Sequence, residues 1–218
     1  MTQRAFVHRA AMAIVLSGVG ISAIACGEVA RTGRSPAFLI IDSLDADSGA
    51  DDEDEYSSIL MSDVETIVEV QQGTQTIRVP TRFNDTGRVR VRMALKNPGL
   101  PTSPLGPTTL NEITLTRYRV EFRRTDGRNT QGVDVPYAFE GGMTLTVCQC
   151  GSTAEGLFDM VRHTSKSEPP LKNLVGGGAG RFINTIAEVT FYGRDQAGNE
   201  TSVSGLVTVN FADFGDPQ

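Results

Sequence analysis

Hydrophobic and polar residues alternate with period two along much of the chain. In "GRVRVRMAL", Gly87 to Leu95, the side chains of Val89, Val91 and Met93 fall on one side and those of Arg88, Arg90 and Arg92 on the other. "ITLTRYRVEFRR", Ile113 to Arg124, sets Tyr118, Val120 and Phe122 against Arg117, Arg119, Glu121 and Arg123. Successive side chains of a strand point to opposite faces, so this alternation predicts strands with one face in a core and the other in water. Further strands are predicted at Gln75 to Pro80, Gly142 to Cys148, Leu157 to His163, Phe182 to Gly193 and Ser202 to Phe211, and a first apolar run stands at Ala37 to Asp42. Beyond residue 26 no stretch sustains a helical apolar stripe between capping residues. Many short strands separated by Gly, Pro and Asn turns predict an all-β fold, an antiparallel β-sandwich with long loop insertions.

Two connections are long. "KNPGLPTSPLGPTTLNE", Lys96 to Glu112, carries prolines at 98, 101, 104 and 107, and "SKSEPPLKNLVGGGAGR", Ser165 to Arg181, carries two more beside its glycines. Loops of this length are functional more often than short ones, so both are candidate contact surfaces; a semi-rigid connector between two sheets is the plainer reading of the first. The strongest local signal is "FYGRDQAGNETSV", Phe191 to Val203, in which Asp195-Gln196-Ala197-Gly198-Asn199 parts two strand patterns. Gly and Asn tolerate the left-handed backbone of a tight hairpin. This segment resembles the last hairpin of bacterial immunoglobulin-like and fibronectin type III-like modules. The resemblance implies an immunoglobulin-like sandwich serving as a spacer, adhesion unit or accessory domain of a surface protein. The chain has no Trp, so the tryptophan that packs many such cores is missing, and no Cys-Trp-Cys spacing occurs.

The start of the chain addresses the protein. "MTQRAFVHR" carries Arg4 and Arg9 and no acid, and residues 10–25, "AAMAIVLSGVGISAIA", are uncharged and end on small side chains. That is the layout of a secretory signal peptide over residues 1–25, too short and too broken by glycine for a membrane span. The junction before Cys26 resembles the lipobox of bacterial lipoproteins, which implies that Cys26 is acylated and becomes the mature N-terminus. Ala23 stands where that family generally has a large aliphatic residue. Ala23 and Ala25 also satisfy ordinary signal cleavage, which leaves plain secretion or a soluble periplasmic protein as the alternative. Residues 26–36 then form a polar tether, residues 37–214 one folded body, and residues 215–218 a tail. The expected location is the cell envelope, with the lipid anchor holding the protein to a membrane.

Charge narrows the partners. The 218 residues carry 20 basic and 26 acidic side chains, a net charge of −6, and the leader removes two arginines. A nucleic-acid binder would normally have the opposite sign. "VGGGAGRF", Val175 to Phe182, lacks the Gly-Lys-Ser/Thr ending of a phosphate cradle, and no cofactor is expected. Residues 43–56 form an acidic stretch, with Asp45, Asp47, Asp51, Asp52, Glu53, Asp54 and Glu55. Taken as a calcium loop it fails, because Gly49 and Tyr56 fall where oxygen ligands are required, and a solvated acidic loop is expected.

Candidate chemistry is sparse. His163 is the one histidine beyond the leader, and no Gly-x-Ser-x-Gly elbow or His-Glu-x-x-His pair occurs, so His163 is expected as a half-exposed strand residue. Cys148 and Cys150 lie two apart beside Gly151 and share a strand face, at the outer limit for a disulfide; outside the cytoplasm an oxidised pair is expected. Soft-metal handling by Cys148, Cys150 and His163 is the alternative. Arg88, Arg90, Arg92, Arg117, Arg119 and Arg123 would make one cationic face if their strands were neighbours. Such a face suits a polyanionic surface polysaccharide, a protein partner, lipid headgroups or the protein's own acidic loop. Separate rows on a solvated surface are the plainer outcome. The sequence reading is therefore a non-enzymatic binding, adhesion or structural module of the cell envelope. A carboxylate-dependent extracytoplasmic hydrolase is the alternative.

Overall fold

The computed structural model describes residues 33–50, 55–148, 153–177 and 180–214. The signal peptide, Cys26, acidic residues 51–54, Cys150 and the tail lie outside them. Strands β1 (Ala37–Asp47), β5 (Asp85–Leu95) and β10 (Ala154–Val161) form an antiparallel sheet in the order β1-β5-β10. A second sheet runs β2-β12-β11-β8-β9, from β2 (Ile59–Asp63), β12 (Glu200–Ala212), β11 (Phe182–Asp195), β8 (Ile113–Arg123) and β9 (Phe139–Val147). Its pairs are antiparallel except β2 with β12, which is parallel. The expectation of a wholly antiparallel fold therefore fails at one edge, where β2 enters the second sheet directly after β1 leaves the first.

The two sheets face each other across one core. The alternation read from β5 and β8 sends Val89, Val91, Tyr118, Val120 and Phe122 inward, all buried, and leaves Arg90, Arg92, Arg119 and Arg123 outside. From β10, the Phe158 ring reaches Tyr118 and Phe191 of the facing sheet, with centroids 5.0 Å and 5.2 Å away. Such aromatic pairs contribute beyond the area they bury. Room for these rings comes from glycines. A Cβ at Gly87 would collide with the ring of Phe158, and one at Gly141 with the ring of Tyr118.

Three bulges interrupt the alternation, at Asp42 in β1, Thr116 in β8 and Met160 in β10. Each inserts one residue and so reverses which parity faces the core. In β8, Ile113 and Leu115 are buried before the bulge and Tyr118, Val120 and Phe122 after it. In β1 the switch carries the strand through Leu44 and Ala46, both buried, into the stretch expected as a free acidic loop.

The long connections are partly structured. Residues 96–112 fold into the small ribbon of β6 (Gly99–Leu100) and β7 (Ser103–Pro104) and a 3-10 turn at Thr109–Asn111. Residues 165–181 begin in a four-residue helix, α1 (His163–Lys166), and continue into a 3-10 turn whose Leu171 and Leu174 are buried. This second connection is thus packed onto the body. Strands β3 (Thr66–Gln72) and β4 (Gln75–Thr81) make a separate hairpin, turned at Gly73 with φ of 66°. Of its two strands only Thr66 is buried.

Candidate functional site

The one fully buried ion pair among the described residues is Lys166 with Asp85. Asp85 opens β5, Lys166 closes α1 and Ser62 lies in β2, so the cluster spans both sheets and the connection after β10. All three side chains belong to residues with 0% exposure. The Lys166 ammonium donates to Asp85 Oδ1 at 2.7 Å, the Ser62 hydroxyl to Oδ2 at 2.6 Å and the Gly49 amide to Oδ1 at 3.1 Å. Burial pushes the Asp85 carboxyl above its ordinary range, against the pull of Lys166, Ser62 and Gly49. Desolvating two charges is expensive, and excellent geometry with extra hydrogen bonds is what offsets it. No feature of "HTSKSEPP" distinguishes Lys166 from a solvated lysine, and sequence reasoning did not single it out.

The arginine rows are not brought together. Arg88, Arg90 and Arg92 project from β5 in the three-stranded sheet, whereas Arg117, Arg119 and Arg123 project from β8 in the five-stranded sheet. Each has a carboxylate within reach. Arg88 meets Asp45 at 3.7 Å, Arg90 meets Glu155 at 2.7 Å and Arg92 meets Asp42 at 2.7 Å. Arg117 meets Glu140 at 2.9 Å, Arg119 meets Glu121 at 3.2 Å, and Arg123 meets Glu121 at 3.0 Å and Glu188 at 3.3 Å. A single merged cationic face does not form, because the two sheets turn their outer surfaces apart. One acid of the 43–56 stretch, Asp45, does serve as an arginine partner.

A groove of about 370 Å³ opens beside the bulge in β8, between the start of β1 and the outer face of the five-stranded sheet. Phe38, Lys96, Arg117, Tyr192, Glu200 and Ser202 line it. A smaller hollow adjoins it through Arg117, Tyr192, Glu200 and Thr201. The Arg117 guanidinium lies 4.0 Å over the Tyr192 ring, a cation-π contact between residues paired across β8 and β11. Lys96 Nζ donates to the Gly33 carbonyl at 2.9 Å and meets no carboxylate among the described residues. Arg194 pairs with Glu200 at 2.6 Å at the edge.

The Asp195–Asn199 turn is built as its sequence implies. The buried Asp195 carboxylate accepts from the Ala197 amide at 3.0 Å, the Asn199 amide at 2.9 Å and the Asn199 side chain, while Gly198 takes φ of 82°. Burial alone would raise this carboxyl, but its hydrogen bonds from Asn199, Ser35 and Ala197 together hold it below the ordinary range.

The thiols and His163 end in different settings. Cys148 is disulfide-bonded, and its partner lies outside the described residues. His163 stands two residues beyond the end of β10, not within a strand, because the chain turns into α1 there; it is exposed, with its ring Nδ1 2.8 Å from Asn84 Oδ1. Among the described residues no three His, Cys, Asp or Glu side chains gather as metal ligands, and no helix there is long and apolar enough to cross a membrane. Comparison with known proteins finds no matching family model, curated protein or solved structure.

Proposed function

We propose that this chain is an exported, lipid-anchored immunoglobulin-like module that works without catalysis as a binding or structural unit of the cell envelope. The observation that carries the reading is strand order. In immunoglobulin nomenclature β1, β5 and β10 correspond to strands A, B and E, and β12, β11, β8 and β9 to G, F, C and C′. β2 takes the place of an A strand that crosses over to pair parallel with G. Tyr118, on the strand that answers to C, packs against Phe158 and so fills the region where many such domains place tryptophan. Binding falls to the groove at Phe38, Lys96, Arg117 and Tyr192, whose aromatic rings, guanidinium and an ammonium that meets no carboxylate among the described residues suit an acidic saccharide unit of a surface polysaccharide.

Two measurements test this. Cys26→Ala moves the protein from the membrane fraction to the soluble one if the anchor is real, and wild-type protein already soluble after fractionation would remove it. Binding of an acidic polysaccharide to the mature chain is lost in a Tyr192→Ala/Lys96→Ser variant, persists in Arg90→Ser, and weakens between 0.1 and 1 M salt as the screening length falls from ~10 to ~3 Å. Equal binding by all three proteins would dismiss the groove.

A further inference from the structure

We propose that Lys166 and Asp85 condense into an intramolecular amide, which makes the buried pair a self-modification site of the folded protein. Three features of the site support the chemistry. The amine nitrogen is already held 2.7 Å from a carboxyl oxygen in a volume with no solvent exposure at either residue. Positioning of this kind converts a bimolecular condensation into an intramolecular one, and a water-free interior favours loss of water over the reverse hydrolysis. Each oxygen of the acceptor has its own donor, Gly49 N–H on Oδ1 and Ser62 O–H on Oδ2. The pair also has the right nucleophile. Every other ion pair among the described residues uses arginine, whose guanidinium keeps its proton; a lysine can lose one when buried.

The step balances without an oxidant or cofactor. A proton passes from the ammonium to the carboxylate, giving a neutral amine beside a neutral acid. Burial, which raises the Asp85 carboxyl, favours that form. That first proton rests on Oδ1, the oxygen the ammonium already contacts. The Nζ lone pair attacks Cγ, and the charge developing on Oδ2 is met by the Ser62 hydroxyl, as in an oxyanion hole. A second proton passes from nitrogen to Oδ1, the Cγ–Oδ1 bond breaks, and Oδ1 leaves with two protons as water. One C–N bond has formed and one C–O bond has been lost. Two buried charges become one neutral amide, so the desolvation cost of the ion pair disappears, and residues 81 positions apart are joined covalently.

Mass spectrometry decides the matter on the mature wild-type chain, reduced and denatured before measurement. The expected mass is lower than that of the sequence by one water, and digestion yields a branched peptide joining the segments that contain Asp85 and Lys166. Asp85→Asn condenses with loss of ammonia in place of water, Lys166→Arg retains its full mass, and Ser62→Ala accumulates the uncrosslinked form. Full mass in folded, aged wild-type protein would overturn the proposal even if every variant failed to fold. Cross-linking of Ser62→Ala at the wild-type rate would overturn the part given to the Ser62 hydroxyl. Neither result bears on membrane fractionation or polysaccharide binding, so the envelope-module reading stands or falls separately.

Discussion

Gly87→Ala offers a prediction whose sign depends on a single ring. A glycine inside a strand costs roughly 0.5–1 kcal/mol relative to alanine through backbone entropy, and Gly87 is not at positive φ, so backbone preference alone predicts stabilisation. The structure predicts the reverse. A Cβ at this position would lie 2.7 Å from two ring carbons of Phe158, the residue directly opposite across the β5–β10 pair. The ring cannot step aside freely, because Tyr118 and Phe191 flank it at 5.0 and 5.2 Å. Overpacking of a filled core costs about 1–3 kcal/mol, which leaves Gly87→Ala destabilising by roughly 0.5–2 kcal/mol once the backbone gain is set against it. Phe158→Ala alone costs about 3–5 kcal/mol as a large-to-small core change. With the ring gone the new methyl enters the cavity, so adding Gly87→Ala to Phe158→Ala restores stability. Equilibrium urea unfolding of the four proteins measures the cycle. A coupling within the range of about 0.5–3 kcal/mol seen for contacting residues is expected. Additive effects, or a Gly87→Ala protein more stable than wild type, would refute the packing argument.

Other outcomes follow from the buried and exposed charges. Lys166→Ala strands a carboxylate in the core and costs at least the about 3–5 kcal/mol of a broken buried pair in urea unfolding; a paired replacement of Lys166 and Asp85 by Met and Leu removes that desolvation loss but also lacks the amide, so it stays less stable than the cross-linked wild type and comes out near neutral only against an uncrosslinked one. Arg90→Ser leaves the unfolding midpoint where it was, since its pair with Glu155 is about half exposed on both sides. Asp195 has a folded-state pKa below its ordinary value of 3.8. Its contribution is therefore present above that value and lost as pH falls through the folded pKa, so Asp195→Ala lowers the unfolding midpoint at neutral pH and flattens its fall in acid. Asp63 and Asp85, raised by burial, act in the opposite sense. Intact-mass measurement before and after reduction, with alkylation, assigns the Cys148 disulfide; pairing with Cys150 is expected, and modification of both thiols in unreduced protein would exclude it.

Much of the fold was legible because most strands bury one face. β5, β8, β11 and β12 alternate strongly, and their predicted spans overlap the observed ones throughout. Among strands of five residues or more, β2 and β3 gave no such signal. β3 and β4 expose both faces, so in β3 there is no buried set for alternation to mark, and β2 is a short edge strand in which Ser62 and Asp63 are buried beside Leu60. The bulges were invisible for a related reason. A period-two reading assumes one parity per strand, and at Thr116 the chain keeps its core by changing parity. The same insertion that breaks the pattern also places Arg117 over Tyr192 and opens the groove beside it.

The candidate sites divide along the same line. A turn such as Asp195–Asn199 is satisfied by residues within five positions of one another, with Ser35 the one distant donor, so most of its chemistry is written locally. The Lys166, Asp85 and Ser62 cluster joins residues 81 and 23 positions apart, and nothing local distinguishes any of them. Which arginines share a surface is also non-local, because it depends on whether β5 and β8 enter the same sheet. They do not, since β5 pairs with β1 and β10 while β8 pairs with β9 and β11. That separation disperses the positive charge over two outer faces, where carboxylates from the same strand and its neighbours meet it. Binding energy for an anion then cannot come from six summed arginines. On the function proposed above it comes from a local shape, the groove beside β8, where Lys96 meets no carboxylate among the described residues and Tyr192 lines the same hollow.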